Sequence, residues 1–416
     1  MSELGKYRLP KGWAWATIPD LCGKTGVFVD GDWVESKDQD PNGDVRLIQL
    51  ADVGDGVYRN KSDRFMTKAK ADELGCTFLK DGDVLIARMP DPLGRACIFP
   101  GDPKTSVTVV DVAIARSGNG EFDHRWLACF VNAHPFRSAI SALQAGSTRK
   151  RISRGNLATI LLPVPPFHEQ RRIVAEIEKQ FTRLEAGVAA LRRVQANLKR
   201  YRAAVLKAAC EGRIVASDLS AWKHLKVSEI GEAITGNTPP TSDKENLGDK
   251  LPFFKPTDLD AGYNVREARQ YLSAKGAKHA RVLPAGAVLV TCIGATIGKT
   301  GFARVDCATN QQINALVVNP KVAIPGWVFW LFSSPLGQQQ IKSNASATTL
   351  PILNKSKFEA LEFPVPPLAE QTRIVAEVER RLSVVEEMEA VVNANLQRAT
   401  RLRQAVLQKA FSGNLT

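Results

Sequence analysis

The chain has 416 residues, 44% of them hydrophobic, and a formal net charge of +13. That length supports two to four domains, and the apolar fraction is ordinary for a folded protein. The charge, with a pI near 9.4, points to an acidic partner, most simply nucleic acid, with a weakly basic enzyme an equal reading on composition alone. Seven cysteines without a CxxC pair and five histidines without HxxxH spacing argue against a zinc site and a disulfide framework, and fit reduced thiols. The chain does not open on an apolar signal segment and contains no run of 18 apolar residues, so a cytoplasmic location is expected, with no membrane partner.

In chain order, residues 1–162 read as a mixed α and β block. The carboxylates between Asp30 and Asp44 are interrupted by Gly and Pro and read as an exposed loop rather than a metal site. Lys80-Asp81-Gly82-Asp83 reads as a turn feeding a buried strand, Val84-Leu85-Ile86-Ala87. A second strand fits residues 107–115 and an amphipathic helix fits 126–143. A further strand at 157–164 runs into Pro163-Val164-Pro165-Pro166. Proline then disappears until Pro239, and residues 168–211 are rich in good helix formers, with Gly212 where such a helix should end. Residues 216–362 repeat the mixed pattern, with a strand at 288–290, a strand at 313–318, a helix at 327–341 and a strand at 358–365. Pro364-Val365-Pro366-Pro367 follows, then a second helical stretch over 369–411 and Gly413.

The two tails are copies at a constant offset of 201 positions. Glu169-Gln170 recurs as Glu370-Gln371, Arg172 to Glu176 as Arg373 to Glu377, and Ala204-Val205-Leu206 as Ala405-Val406-Leu407. Trp126 and Trp327 stand at the same spacing, so the repeat reaches into the blocks at lower identity. The chain therefore divides into a block over 1–162, a helical spacer over 163–215, a second block over 216–362 and a second spacer over 363–416. Apolar residues at spacings of three and four mark a coiled-coil seam. It passes Ile177, Phe181, Leu184, Val188, Leu191, Leu198 and Val205, with Gln195 and Arg202 interrupting. In the second tail it passes Ile374, Val378, Leu382, Val385, Val392, Leu396, Ala399 and Val406. The simplest partner for each helix is the other copy, and an antiparallel pair would place the blocks at opposite ends. The expected fold class is α+β: two mixed α/β domains in tandem, separated by two long helices that form an antiparallel coiled coil. The charge excess lies on the first tail and the second block.

Several segments carry candidate chemistry. Gly294-Ala295-Thr296-Ile297-Gly298-Lys299-Thr300 resembles a phosphate loop but is one residue too short between its first Gly and the Gly-Lys pair. It reads better as a glycine-rich turn whose amides and Lys299 could meet a DNA phosphate. The first block has Arg88 to Arg95 in the same place, so Arg95 matches Lys299; a plain hairpin turn is the rival. Ser147-Thr148-Arg149-Lys150-Arg151-Ile152-Ser153-Arg154 is the densest basic run, and DNA contact through Thr148, Arg149, Lys150, Arg151 and Arg154 is weighed above a solvated loop. The second block has Thr349 in this run but no cations. Arg88 and Lys255 add cations, and Gln311 and Gln312 could read adenine edges, although structural amides are commoner. Glu176-Ile177-Glu178-Lys179 matches half of a nuclease motif but lies on the expected helix, where such pairs are ordinary. No Asn/Asp-Pro-Pro-aromatic loop and no true phosphate loop occurs, so no catalytic site and no metal site are expected.

Two variable blocks, each followed by P-x-P-P-x-x-E-Q-x-x-I-V and a long helix ending in A-V-L-x-x-A-x-x-G, resemble the specificity subunit of type I restriction-modification enzymes. The resemblance covers the whole chain, and Gly236-Asn237-Thr238-Pro239 fits it too. It implies that each block is a target recognition domain reading one half of an asymmetric, bipartite site in double-stranded DNA. The helices would act as a spacer and as the dock for two methyltransferase (M) subunits, joined by motor/nuclease (R) subunits. S-adenosylmethionine, ATP and Mg would belong to those partners. Two rival readings stand beside it: an enzyme with unrecognised motifs, and a coiled-coil protein scaffold without specific DNA binding.

Overall fold

The computed structural model describes residues 9–90, 92–118, 120, 122–146, 150–240, 242–346 and 350–412. It divides by packing into two units, Met1–Leu191 with Ala394–Thr416, and Arg192–Asn393. The packing thus groups the chain differently from the linear repeat, because each unit takes one part of each long helix.

The long helices are Phe167–Cys210 and Leu368–Phe411, 44 residues each. At 1.5 Å per residue each runs about 66 Å. Both start directly behind a Pro-Val-Pro-Pro segment, where the fixed φ of proline suits a helix entry but not a helix interior. The first helix closes on Gly212, at φ +65. The amide of Arg213 bonds the carbonyl of Ala208 at 2.8 Å and that of Gly212 bonds Ala209 at 3.3 Å. This paired 6→1 and 5→2 closure needs a left-handed residue at the position Gly212 holds.

In each unit the helix segments pair antiparallel, since partner numbers on one helix fall as those on the other rise. In the first unit Ile173, Val174 and Ile177 share a core with Leu407, Ala410 and Phe411, and Arg403 reaches Glu185 at 3.3 Å and the Phe181 ring at 4.0 Å. In the second unit Gln195 bonds Asn393 at 3.1 Å, and Arg202 meets Glu386 at 3.4 Å and Glu389 at 3.6 Å. The two residues that interrupt the apolar seam of the first helix therefore have polar partners on the second. Leu198, Val205, Val378, Leu382, Val385 and Val392 are buried along that seam.

The globular parts share one topology. The first unit has a four-stranded antiparallel sheet in the order Val27–Asp30, Val112–Arg116, Val84–Ala87, Ala96–Ile98. The second has Gly231–Thr235, Ile313–Val318, Val288–Thr291, Thr300–Phe302 in the same order. A three-stranded sheet with one antiparallel and one parallel pairing also recurs, Phe65–Met66, Val45–Ile48, Thr105–Thr108 against Tyr271–Leu272, Leu247–Phe254, Ala308–Thr309. Behind the first large sheet, Trp126, Phe130 and Phe136 pack with the helix residues, and Phe411 meets Phe130 edge-on at 4.9 Å. In the second unit Tyr263 stacks on Trp330 at 4.7 Å, with Arg304 over its ring at 4.3 Å.

Three sequence expectations change. The strand expected over 107–115 is two strands, because Thr105–Thr108 pairs parallel with Val45–Ile48 while Val112–Arg116 joins the other sheet. Each helix expected behind a tryptophan is two helices, His124–Val131 with His134–Leu143 and Pro325–Ser333 with Pro335–Ser343. Pro135 and Pro335 fall in the first turn of the second helix of each pair, where the missing N–H costs nothing and continuation from the preceding helix is blocked. The strands expected over 157–164 and 358–365 begin as short helices, Arg154–Ala158 and Lys355–Glu359, and become strands only at Leu162–Val164 and Glu362–Val365.

The repeated glutamine explains how the rods are fixed. Gln170 is buried, accepts the amide of Asp123 at 2.8 Å and donates to the carbonyl of Pro165 at 3.0 Å. Gln371 accepts the amide of Ile324 at 2.8 Å and donates to Val322 at 3.1 Å and Pro366 at 2.8 Å. One side chain thus ties the proline segment, the helix start and the loop before the tryptophan helix, within each unit. Gln371→Leu strands these buried groups, at about 1–3 kcal/mol for an unpaired polar group. The melting midpoint should fall by roughly 3–10 °C; an unchanged melt by circular dichroism would show that the bonds carry no weight.

Candidate nucleic-acid interface

Four segments converge at one edge of the first unit. They are the stretch after the first large-sheet strand (Asp32 to Val34), the stretch after Val45–Ile48 (Gln49 to Ala51), the turn after Val84–Ala87, and the loop over Val109 to Asp111. With Gly146 and Arg151 from the loop behind the second tryptophan-side helix they line a groove of about 1030 Å³. An adjoining hollow of about 270 Å³ adds Arg88, Ile152 and Ser153. The amide of Ile152 bonds the carbonyl of Arg88 at 3.1 Å and the amide of Arg88 bonds that of Asp111 at 2.8 Å, so the turn is the hub of the edge.

The second unit builds the same edge with the same bonds. Leu353 bonds Cys292 at 2.8 Å, and Cys292 bonds Gln312 at 2.7 Å. The amide of Gln49 meets Asp52 at 2.8 Å, and that of Lys255 meets Asp258 at 2.7 Å. Within the turns, Gly94 bonds Ala87 at 2.9 Å and Gly298 bonds Thr291 at 2.8 Å. Gly94 and Gly298 stand at φ +77 and +88, a conformation that L side chains rarely adopt. These pairs make Arg88 equivalent to Cys292, Gln49 to Lys255, and Asp111 to Gln312.

The candidate residues fall into three groups. Lys150 and Arg151 are exposed and have no ion pair among the described residues. Arg154 is half exposed, bonds the carbonyl of Phe28 at 3.1 Å and lies 3.7 Å from Asp30. Gln311 is exposed and accepts from the Thr238 hydroxyl at 2.7 Å, Gln312 accepts from the Asn310 amide at 2.9 Å, and Lys255 lies by equivalence on the same edge. Thr148, Arg149 and Thr349 lie outside the described residues.

Arg95, Arg88 and Lys299 are used internally. Arg95 is 4% exposed, and its guanidinium donates to the carbonyls of Val53 at 2.5 Å, Leu50 at 2.9 Å and Pro92 at 3.1 Å. The phosphate contact expected of Arg95 is thereby corrected: it pins the turn to the stretch after Val45–Ile48. Lys299 does the equivalent job through Asp260, at 2.6 Å. Arg88 donates to the carbonyl of Val110 at 2.8 Å and faces Asp30 at 3.1 Å. Burial raises the Asp30 carboxyl above its usual range, against the opposing pull of Arg88 and Arg154.

The sequence reading missed Trp33 and Asp111. Trp33 is 71% exposed beside the groove, the highest value among the large exposed apolar side chains described. Its indole N–H donates to Glu35 at 3.3 Å, and Arg151 lines the same groove. The only sequence signal of Trp33 is a bulky aromatic within an acidic, Gly-interrupted loop, which does not separate an exposed ring from a buried one.

Burial pushes all seven cysteine thiols up, to about 11 or about 12, which disfavours a thiolate nucleophile. Among the described residues no group of three His, Cys, Asp or Glu side chains could hold a metal ion, and no helix is long and apolar enough to cross a membrane. Glu176 and Lys179 pair with each other at 3.4 Å on the exposed helix surface, and Glu178 faces Arg125 at 3.3 Å, as ordinary surface pairs do.

Comparison with known proteins agrees with this geometry. Residues 220–389 match the family model described as the type I restriction modification DNA specificity domain. The EcoBI specificity subunit of Escherichia coli is 28% identical over 310 residues, 69% of this chain and 65% of the relative. The StySPI specificity subunit of Salmonella potsdam is 24% identical over 306 residues, 70% of this chain and 65% of the relative. The matched stretch thus spans about 65% of the length of these curated relatives. Among solved structures, a chain from a study of complex assembly and conformational transition of the type I R-M system superposes with a TM-score of 0.78 at 21% identity, covering 98% of this chain and all of that one. The HsdS subunit from Thermoanaerobacter tengcongensis gives 0.56 at 21%, covering 99% of each chain. The α+β fold with its paired long helices is the one these structures share, and in sequence the chain is similar to type I restriction-modification specificity subunits.

The two kinds of arginine should separate on mutation. Arg95→Ala leaves buried carbonyls without a donor and should cost about 2–4 kcal/mol. Arg151→Ala should change stability by no more than about 0.5 kcal/mol. Urea melts of both variants check this, and equal effects would contradict the division.

Proposed function

We propose that this chain is the non-catalytic DNA-reading subunit of a type I restriction-modification complex. Each unit reads one half of an asymmetric, gapped target in double-stranded DNA. Methyltransferase subunits dock on the chain, motor/nuclease subunits join them, and S-adenosylmethionine, ATP and Mg are bound by those partners. The observation that carries this reading is the duplicated edge: two units with the same strand order and the same turn-to-loop bonds carry different side chains at equivalent positions. A duplicated scaffold with diverged edge residues suits two half-sites that differ. The phosphate contacts would set register, and groups at the edges would distinguish bases.

A protein partner is supported by the second unit's helical surface. Val384, Met388 and Val391 are exposed at spacings of four and three, which places them on one helix face. An apolar stripe of this kind on a protein with ordinary hydrophobic content suits a docking site.

Methylome sequencing of cells with and without the chain tests the reading. The expected result is a gapped adenine motif, asymmetric between its halves, that vanishes on deletion. Methylation or cleavage of DNA by the purified chain alone, with magnesium and methyl donor, would overturn the non-catalytic assignment.

Binding should also follow the charge count. Lys150→Gln combined with Arg151→Gln should flatten the slope of log affinity against log salt by about 0.9 for each phosphate that is no longer neutralised. A salt slope equal to the unsubstituted protein's would remove these two residues from the interface.

A further inference from the structure

We infer that Asp111 is a specificity-determining residue of the first unit, which accepts a hydrogen bond from the exocyclic amine of one base in the half-site that unit reads. The inference rests on the function proposed above and assigns one position within it.

Asp111 sits where the loop between the two sheets touches the turn, and its carbonyl takes the amide of Arg88 at 2.8 Å. It lines both the groove and the adjoining hollow, with Trp33, Met89 and Arg151. Its side chain is half-buried, and no hydrogen bond or ion pair to it is found among the described residues. The cation of the turn whose amide bonds Asp111, Arg88, is committed to Asp30 and to the carbonyl of Val110 instead.

A carboxylate is acceptor-only. On a surface that meets phosphates it is repelled, so it is unfavourable there unless a donor from the ligand offsets it. In the major groove the donors are the amino groups of cytosine N4 and adenine N6, and guanine O6, guanine N7 and thymine O4 offer only acceptors. Asp111 therefore selects for a base with an amino group and against one without. At the equivalent place the second unit has Gln312, whose amide both donates and accepts and whose oxygen already takes Asn310 at 2.9 Å. The same position of the scaffold thus presents an acceptor alone in the first unit and a donor beside an acceptor in the second.

The experiment compares the methylated motif of the full chain, expressed with its partner subunits, against that of Asp111→Asn and Asp111→Glu. Asp111→Asn exchanges one acceptor for a donor at constant size. It should relax or switch one position of one half-site, with discrimination at that position changing roughly 5- to 150-fold, while the other half-site keeps its sequence. Asp111→Glu keeps the acceptor and should keep the base identity at lower efficiency. An unchanged motif in Asp111→Asn, or a uniform loss of methylation with no change of motif in a chain whose melt is unaltered, overturns the inference and leaves the proposed function standing. Absence of any gapped motif with the unsubstituted chain overturns both.

Discussion

The structure depends on the antiparallel pairing of two helices that are each too polar to stand alone. A 44-residue helix gains little from propensity, and most of its stability comes from a packed face. Here that face is completed by the other copy and, in the first unit, also by core residues such as Trp126 and Phe130. In the first unit the seam ends in aromatic packing around Phe411, and in the second it passes through Gln195 with Asn393 and Arg202 with Glu386. These polar pairs lie at the exposed rim of the seam and add little to stability, yet they match in the observed alignment, which favours one register in a seam of otherwise interchangeable aliphatic residues.

Once that register is set, the tails can hold a globular part only if the helix entry is rigid. The Pro-Val-Pro-Pro segment provides a fixed backbone, and the glutamine behind it converts the segment into a joint. Gln170 and Gln371 each bond both a proline carbonyl and an amide of the preceding loop. The strong repetition of these few residues, against wide divergence elsewhere, follows from geometry: a buried amide must find every one of its partners, whereas an exposed edge residue has none it must keep.

The sequence revealed the duplication, the long helices to within a residue or two, and the buried strand before each turn, because each is written in local periodicity or in proline. It did not reveal that residues 109–111 divide two strands, since a continuous run of Val and Thr looks the same whether it serves one sheet or two. It also could not rank the cations. Arg95 and Arg151 are identical as letters; one is buried against backbone carbonyls and the other is exposed, and only the fold makes that difference. Arg95 and Lys299 stand at equivalent places on the two turns, and each side chain bonds the corresponding stretch of its own unit.

The edge that results has a division of labour. Arg95 and Lys299 hold the turn of each unit against the neighbouring stretch, and Arg88 ties the first turn to Val110 and Asp30, so the edge backbone is pinned from within. That matters more for discrimination than for affinity. Under the proposed function, Lys150 and Arg151, which have no ion pair among the described residues, would favour any phosphate, and added charge would raise binding to every sequence alike. Selectivity requires groups whose wrong pairings are penalised, and a carboxylate or a half-satisfied amide on a loop bonded to the turn would be penalised strongly by the wrong base. Under the proposed function, a basic protein that keeps at this edge an acid without a partner among the described residues would give up some general attraction to gain that penalty.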